Sequence, residues 1–181
     1  MKLWEDRIEL TGHEPQLLAL ACQGRPRPAL TAEVFAEWLL EPMPDELPAL
    51  CHGARLVLRE HFVAAFAVPT ADDTAGITWA VTRHPAALVW LHSQGIRPQR
   101  VVAHLDPTQP APGDVVAGIL PLSLAASLHR RGVRCINLSI DAMWKDRGRE
   151  LTVARMRECG ARLEIVQEID IRVVARAVET A

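Results

Sequence analysis

The side chains that can do chemistry in this chain gather where apolar runs stop. ITWAVT gives way to Thr82, Arg83 and His84, and VVAHLD closes on His104, Leu105 and Asp106. DVVAGIL runs through Gly118 into Pro121 and Ser123, while RCINLSI ends on Ser139 just before Asp141. Arg147 and Arg149 follow in KDRGREL. Arginine offers a planar two-donor fork to phosphate, and histidine moves protons near neutral pH. With helix N-termini behind it, the set therefore suits binding phosphates through N–H groups, helix dipoles and guanidinium charge.

Other chemistries fit less well. A dinucleotide fold needs a glycine-rich turn after its first strand, and TRHPAA has none; a Walker loop is also missing. A two-metal nuclease wants three or four carboxylates, but only Asp106 and Asp141 fall at run ends, with Asp114 at the start of its run. No metal and no cofactor are expected. Plainer readings stand beside these: either histidine alone reads as a surface residue, and both aspartates as turn formers. Trp79 and Trp90 lie in apolar periodic segments and read as core, whereas Trp144, in a loop, could stack on a base.

These residues need a scaffold that brings run ends together. ITWAVT and QRVVAHL are β-branched strands flanking the helix HPAALVWLHSQ, which stops at Gly95. DVVAGIL, PLSLAASLHRR up to Gly132, and RCINLSI repeat that order. Pro85 and Pro121 read as first helical residues, and the two glycines as left-handed stops. TVARMREC, capped by Thr152 and ended by Gly160, precedes a last strand, ARLEIVQEI. Sequential parallel strands joined by helices imply a Rossmann-like, doubly wound, mainly parallel sheet, whose ligand crevice lies beyond the strands' carboxyl ends. Arg97, Arg100, Arg130, Arg131 and Arg134, with His92 and His129, fall at the other end and read as solvated charge.

Seven of the 13 prolines precede residue 70, in GRPRPAL and EPMPDELPAL and nearby, so composition shifts near ADDTAG, 71–76. A small, mostly helical or α+β N-terminal region, 1–75, is expected before the Rossmann-like domain, 77–181. In it TAEVFAEWLL, with Thr31 as cap, reads as a helix stopping before Pro42, and ARLVLREHFVAAFAV is open between strand and buried helix.

The 20 Lys+Arg and 22 Asp+Glu give a formal charge of -2, too little for a protein that coats long nucleic acid. That figure divides unevenly: residues 1–76 hold 6 Lys+Arg and 12 Asp+Glu, and the remainder 14 and 10. A moderately basic second part suits a compact ligand with a few phosphates. No run approaches the ~20 apolar residues that span a bilayer. MKLWEDRIEL has no signal-peptide core, so a cytoplasmic protein is expected. Cys22, Cys51, Cys135 and Cys159 form no CxxC pair and read as buried, reduced thiols.

TWAVTRHPAALVW, VVAHLD, GDVVAGILPLSLAASLHRRG and LSIDAMWKDRGREL, in that order, resemble the small CRISPR-associated accessory proteins of the Csx group, in particular the Csx-sixteen family. The resemblance covers about 78–168. Where that family commonly has a proline soon after the fourth motif's aspartate, this chain has Met143 and Trp144. The resemblance implies a ring nuclease beside type III CRISPR defence, binding and cleaving cyclic tetra-adenylate. By motif it carries over Thr82, Arg83 and His84, then His104 and Asp106, then Leu120, Pro121 and Ser123, then Asp141, Arg147, Arg149 and Glu150. Among these, Arg83, His84, His104 and Asp106 are the catalytic candidates. Thr82, Pro121, Ser123, Ser139, Asp141, Arg147 and Arg149 are the ligand-binding candidates. A homodimer would match the two-fold symmetry of a four-membered ring. Two alternatives remain open: a non-catalytic sink or sensor of cyclic oligoadenylate, and a metal-dependent nuclease on longer RNA or DNA.

Overall fold

The computed structural model describes residues 1–67, 76–146 and 148–169. Arg147, and the composition boundary except Gly76, lie outside the described residues. β1 (Lys2–Trp4) and β2 (Arg7–Glu9) form an antiparallel hairpin. Three helices follow: α1 (Glu14–Cys22), α2 (Ala32–Leu40) and α3 (Ala49–Ala64). Residues 54–64 of the ambiguous segment belong to α3, where Cys51, Ala54, Arg55, Leu58 and Phe62 recur at helical spacing as its buried face. Thr31 sits at the cap of α2 in extended conformation, but its hydroxyl makes no cap bond. The start of α2 is instead held by the hairpin turn, the Ala32 N–H donating to the Asp6 carbonyl at 2.6 Å.

The second part comprises β3 (Thr78–Val81), α4 (Pro85–Ser93), β4 (Arg100–Val102), β5 (Val115–Gly118), α5 (Leu122–Arg130) and β6 (Arg134–Ser139). A 3-10 turn (Trp144–Asp146), α6 (Val153–Glu158) and β7 (Arg162–Val166) complete it. The sheet runs β4-β3-β5-β6-β7, its first four strands parallel. This is the expected α/β architecture, with a mostly parallel, Rossmann-like sheet.

Two expectations change. β7 pairs antiparallel with β6, not parallel. The six residues of α6 climb about 9 Å, whereas β6 spans about 20 Å, so α6 cannot carry the chain back to the sheet's starting edge. Instead the chain turns at Gly160, φ +64°, and runs down beside β6. Pro85 opens α4 as expected, but Pro121 is the cap of α5, and Leu122 is that helix's first residue.

Strand alternation sorts the sheet's two faces. Ala80, Ala117 and Leu138 join one core with α4 and with Leu18, Phe35, Leu58 and Phe62 of α1 to α3. Trp79, Val116 and Cys135 join another with Ala125 and Leu128 of α5. α4 is buried continuously from Pro85 to Leu91, because the N-terminal helices cover the side that the sheet does not. Trp79 and Trp90 are core residues, and all four cysteines are buried and unpaired.

Candidate functional site

The chain leaves β3 toward β4 on one side, then passes from β5 to β6 on the other, so strand order reverses between β3 and β5. Open α/β sheets place their ligand crevice outside the carboxyl ends of such a pair. Register aligns Val81 with Gly118 there. Gly118 has φ +152°, and a Cβ on it would meet the Val81 carbonyl oxygen at 2.4 Å, so only glycine lets β5 end this close to β3.

Beyond these ends lies a cleft of about 270 Å³. It is lined by His84 and Ala87 of α4, Ile119 and Ile140 after β5 and β6, Asp146, Arg149 and Glu150 of the following loop, and Met156 of α6. His84 caps α4, and its N–H donates to the Thr82 hydroxyl at 3.0 Å, which gives the buried Thr82 a positioning part. The ring Nδ1 of His84 lies 3.0 Å from the Glu150 carboxylate. Arg59 of α3 donates to the same oxygen and, at 3.3 Å, to the Arg83 carbonyl. Burial pushes the Glu150 carboxyl up, but Arg59 and His84 outweigh this and hold it below the usual carboxylate range.

The loop bearing Arg149 and Glu150 is anchored from below. Asp146 takes a two-point bond from Arg155 of α6, Nε at 3.1 Å and Nη2 at 2.9 Å, and accepts the Met143 N–H at 3.0 Å. Those bonds, Arg155's first, lower its pKa. Arg149 is exposed and lines the cleft, its side chain without a partner among the described residues.

The remaining candidates scatter. Arg83 is exposed beside His84 but does not line the cleft, and His104 lies exposed beyond the edge strand β4. Asp106 is a turn former: its carboxylate accepts the hydroxyl (2.7 Å) and N–H (2.9 Å) of Thr108, which lower its pKa. Asp141 pairs with Arg162 at 2.9 Å, and Ser139 donates to Glu164, so both face β7. Pro121 and Ser123 sit exposed at the start of α5.

Some arginines read as solvated charge have partners. Arg131 donates to the Pro107 and Thr108 carbonyls, Arg97 to that of His92, and Arg100 lies 4.8 Å over the Trp79 ring. Ile119 of the cleft lining is exposed, as are Leu122, Met143 and Trp144, the last at 82%. Arg59 and Arg155 are the site's structural members that sequence reasoning passed over. The spacing of α3 signals its buried face, but not which far loop the half-buried Arg59 meets. Among the described residues no three His, Cys, Asp or Glu side chains are grouped to hold a metal ion, and no helix is long and apolar enough to cross a membrane.

Fold and cleft together define an α/β protein with a crevice lined by His84, Arg149, Asp146 and Glu150 at the topological switch point of a Rossmann-like sheet. Residues 79–169, half of the chain, match the family described as "Putative CRISPR-associated protein (Cas_VVA1548)". The chain belongs to this CRISPR-associated family. No curated protein and no solved structure matches it.

Proposed function

We propose that the protein is a ring nuclease of the Csx-sixteen type, cleaving cyclic tetra-adenylate in the cytoplasm as a homodimer. The observation that carries the reading is the pairing of His84 with Glu150 beside Arg149, which has no side-chain partner among the described residues, at the start of α4. Proton transfer and phosphate recognition there have adjacent groups, beside the N-terminus of α4. The cleft has room for about one nucleotide. Two copies facing each other would offer one cleft to each half of a four-membered ring.

In this mechanism a ribose 2′-oxygen attacks the adjacent phosphorus while the bond to the 5′-oxygen breaks. The proton leaving the 2′-hydroxyl passes to a base, and another reaches the 5′-oxygen. No external nucleophile enters, because the attacking hydroxyl belongs to the substrate; the site has to hold it in line with the leaving 5′-oxygen. The products are linear adenylates ending in a 2′,3′-cyclic phosphate. His84 is the proton-transfer group and Arg149, with Arg83, the phosphate clamp; His104 is the less favoured proton carrier because it stands outside the cleft. Glu150 and Arg59 orient His84.

The test incubates the purified chain with cyclic tri-, tetra- and hexa-adenylate in EDTA and resolves the products. Conversion of the tetra-adenylate to shorter linear species is expected. Binding without turnover would identify a sink or sensor. Cleavage that appears only with added Mg²⁺ or Mn²⁺ would point to a metal-dependent nuclease.

A further inference from the structure

The buried face of α3 carries a cation that its surroundings do not explain. His52, Arg55 and Arg59 lie three and four residues apart, so they follow one another along one side of the helix. Arg55 is only 6% exposed, and its guanidinium lies over the Trp38 ring, the central carbon 4.5 Å from the ring centroid. That contact fixes the plane of the group. Its Nε and Nη2 atoms are the only buried side-chain nitrogen or oxygen atoms among the described residues without a hydrogen-bond partner. These two N–H groups form the edge of arginine that matches two oxygens of a phosphate or carboxylate. Leaving them unpaired in the interior is unfavourable, and native proteins rarely do so. Burial pulls the Arg55 pKa down, with the Glu41 charge opposing that fall.

Beside Arg55 is a cavity of about 370 Å³, which Arg59 and His52 also line. Leu39, Met43 and Leu56 give it an apolar wall, and Glu41 and Asp45 stand exposed at its mouth. Its volume falls in the range of small-molecule sites. We propose that this cavity binds a phosphomonoester of nucleotide size, its phosphate on the Nε–Nη2 edge of Arg55. Arg59 and His52 add charge along the helix, and the apolar wall takes the organic part. Glu41 and Asp45 accept hydrogen bonds from its hydroxyls. The edge is closed to solvent, so entry requires a side-chain movement that uncovers it. The site lies in the N-terminal part and shares Arg59, which is bonded to Glu150, with the crevice, but it does not rest on the crevice reading.

The experiment titrates AMP, adenosine and inorganic phosphate by calorimetry into the full chain carrying Arg83→Ala and Arg149→Ala, which strips cations from the crevice. AMP is expected to bind one site, with adenosine at least tenfold weaker, and Arg55→Met to weaken AMP at least tenfold. Arg55→Lys, which keeps the charge but not the two-donor edge, is expected to lose affinity likewise, and it serves if the methionine variant does not fold. Without ligand, the melting temperature of Arg55→Met is expected to hold or rise, because an unpaired buried charge is removed. No AMP binding, equal binding of adenosine, or undiminished binding by the Arg55 variants each overturns the proposal. So does a melting temperature lowered by both Arg55→Met and Glu41→Gln, which would make Glu41 the internal partner of Arg55.

Discussion

At the residue scale the crevice rests on a three-membered contact, Arg59 to Glu150 to His84. A neutral His84 ring has one donor and one acceptor nitrogen, and a carboxylate beside Nδ1 fixes that nitrogen as the donor, freeing the other to accept a proton. Glu150 thus acts, under the proposed activity, through His84 and not on the substrate. Under the proposed activity, Glu150→Gln should lower kcat about tenfold with KM little changed, whereas His84→Ala should remove a factor of about 10² or more. Steady-state kinetics on both variants checks this, and equal loss in KM for Glu150→Gln would count against an orienting part.

At the element scale, Asp114 ties together the strand starts at the end opposite the crevice. It is buried, and its carboxylate accepts the Ile77 N–H at 2.8 Å, the Trp79 indole N–H at 2.9 Å and the Ala111 N–H at 3.0 Å. Burial raises its pKa, but these bonds prevail and hold it below the ordinary carboxylate value. A depressed folded pKa contributes stability that is present above the unfolded value, about 3.9, and lost as pH falls through the folded value. Asp114→Asn should cost about 2 kcal/mol at pH 7 by leaving buried donors poorly paired. It should also flatten the loss of stability below about pH 4; urea unfolding at pH 7 and at acid pH measures both. Asp114 was legible in the sequence as a residue at the wrong end of its strand for the crevice, but its three bonds were not, because Ile77 and Trp79 meet it only after β3 and β5 pair.

At the scale of the whole molecule, α4 is the hinge of the packing argument. PAALVWL is apolar on every side, and such a helix must be buried on every side. The sheet covers one flank, and Phe35, Leu58 and Phe62 of the N-terminal helices cover much of the rest. A fragment spanning 76–181 should therefore expose a large apolar surface. It is expected to aggregate or to bind a hydrophobic dye that the full chain does not, and a monomeric, cooperatively unfolding fragment would contradict this.

The elements of the second part could be read from the sequence because local patterns specify them. Alternating β-branched runs, Pro85 at a helix start, the Thr152 cap and the stops at Gly95, Gly132 and Gly160 act over a few residues. These patterns also determined which side chains stand at the carboxyl edge of the sheet. They did not determine which of those side chains meet. Arg59 and Glu150 are 91 positions apart, and their contact follows from α3 packing against α4. The reversal of β7 likewise depended on how far α6 carries the chain. The turn at Asp106 and the Asp141–Arg162 pair drew two promising carboxylates away from the cleft. Periodicity is a property of neighbours in the chain, so the sequence reaches the sheet and its edge. Convergence depends on the packing of elements distant in sequence, and only the tertiary structure decided it.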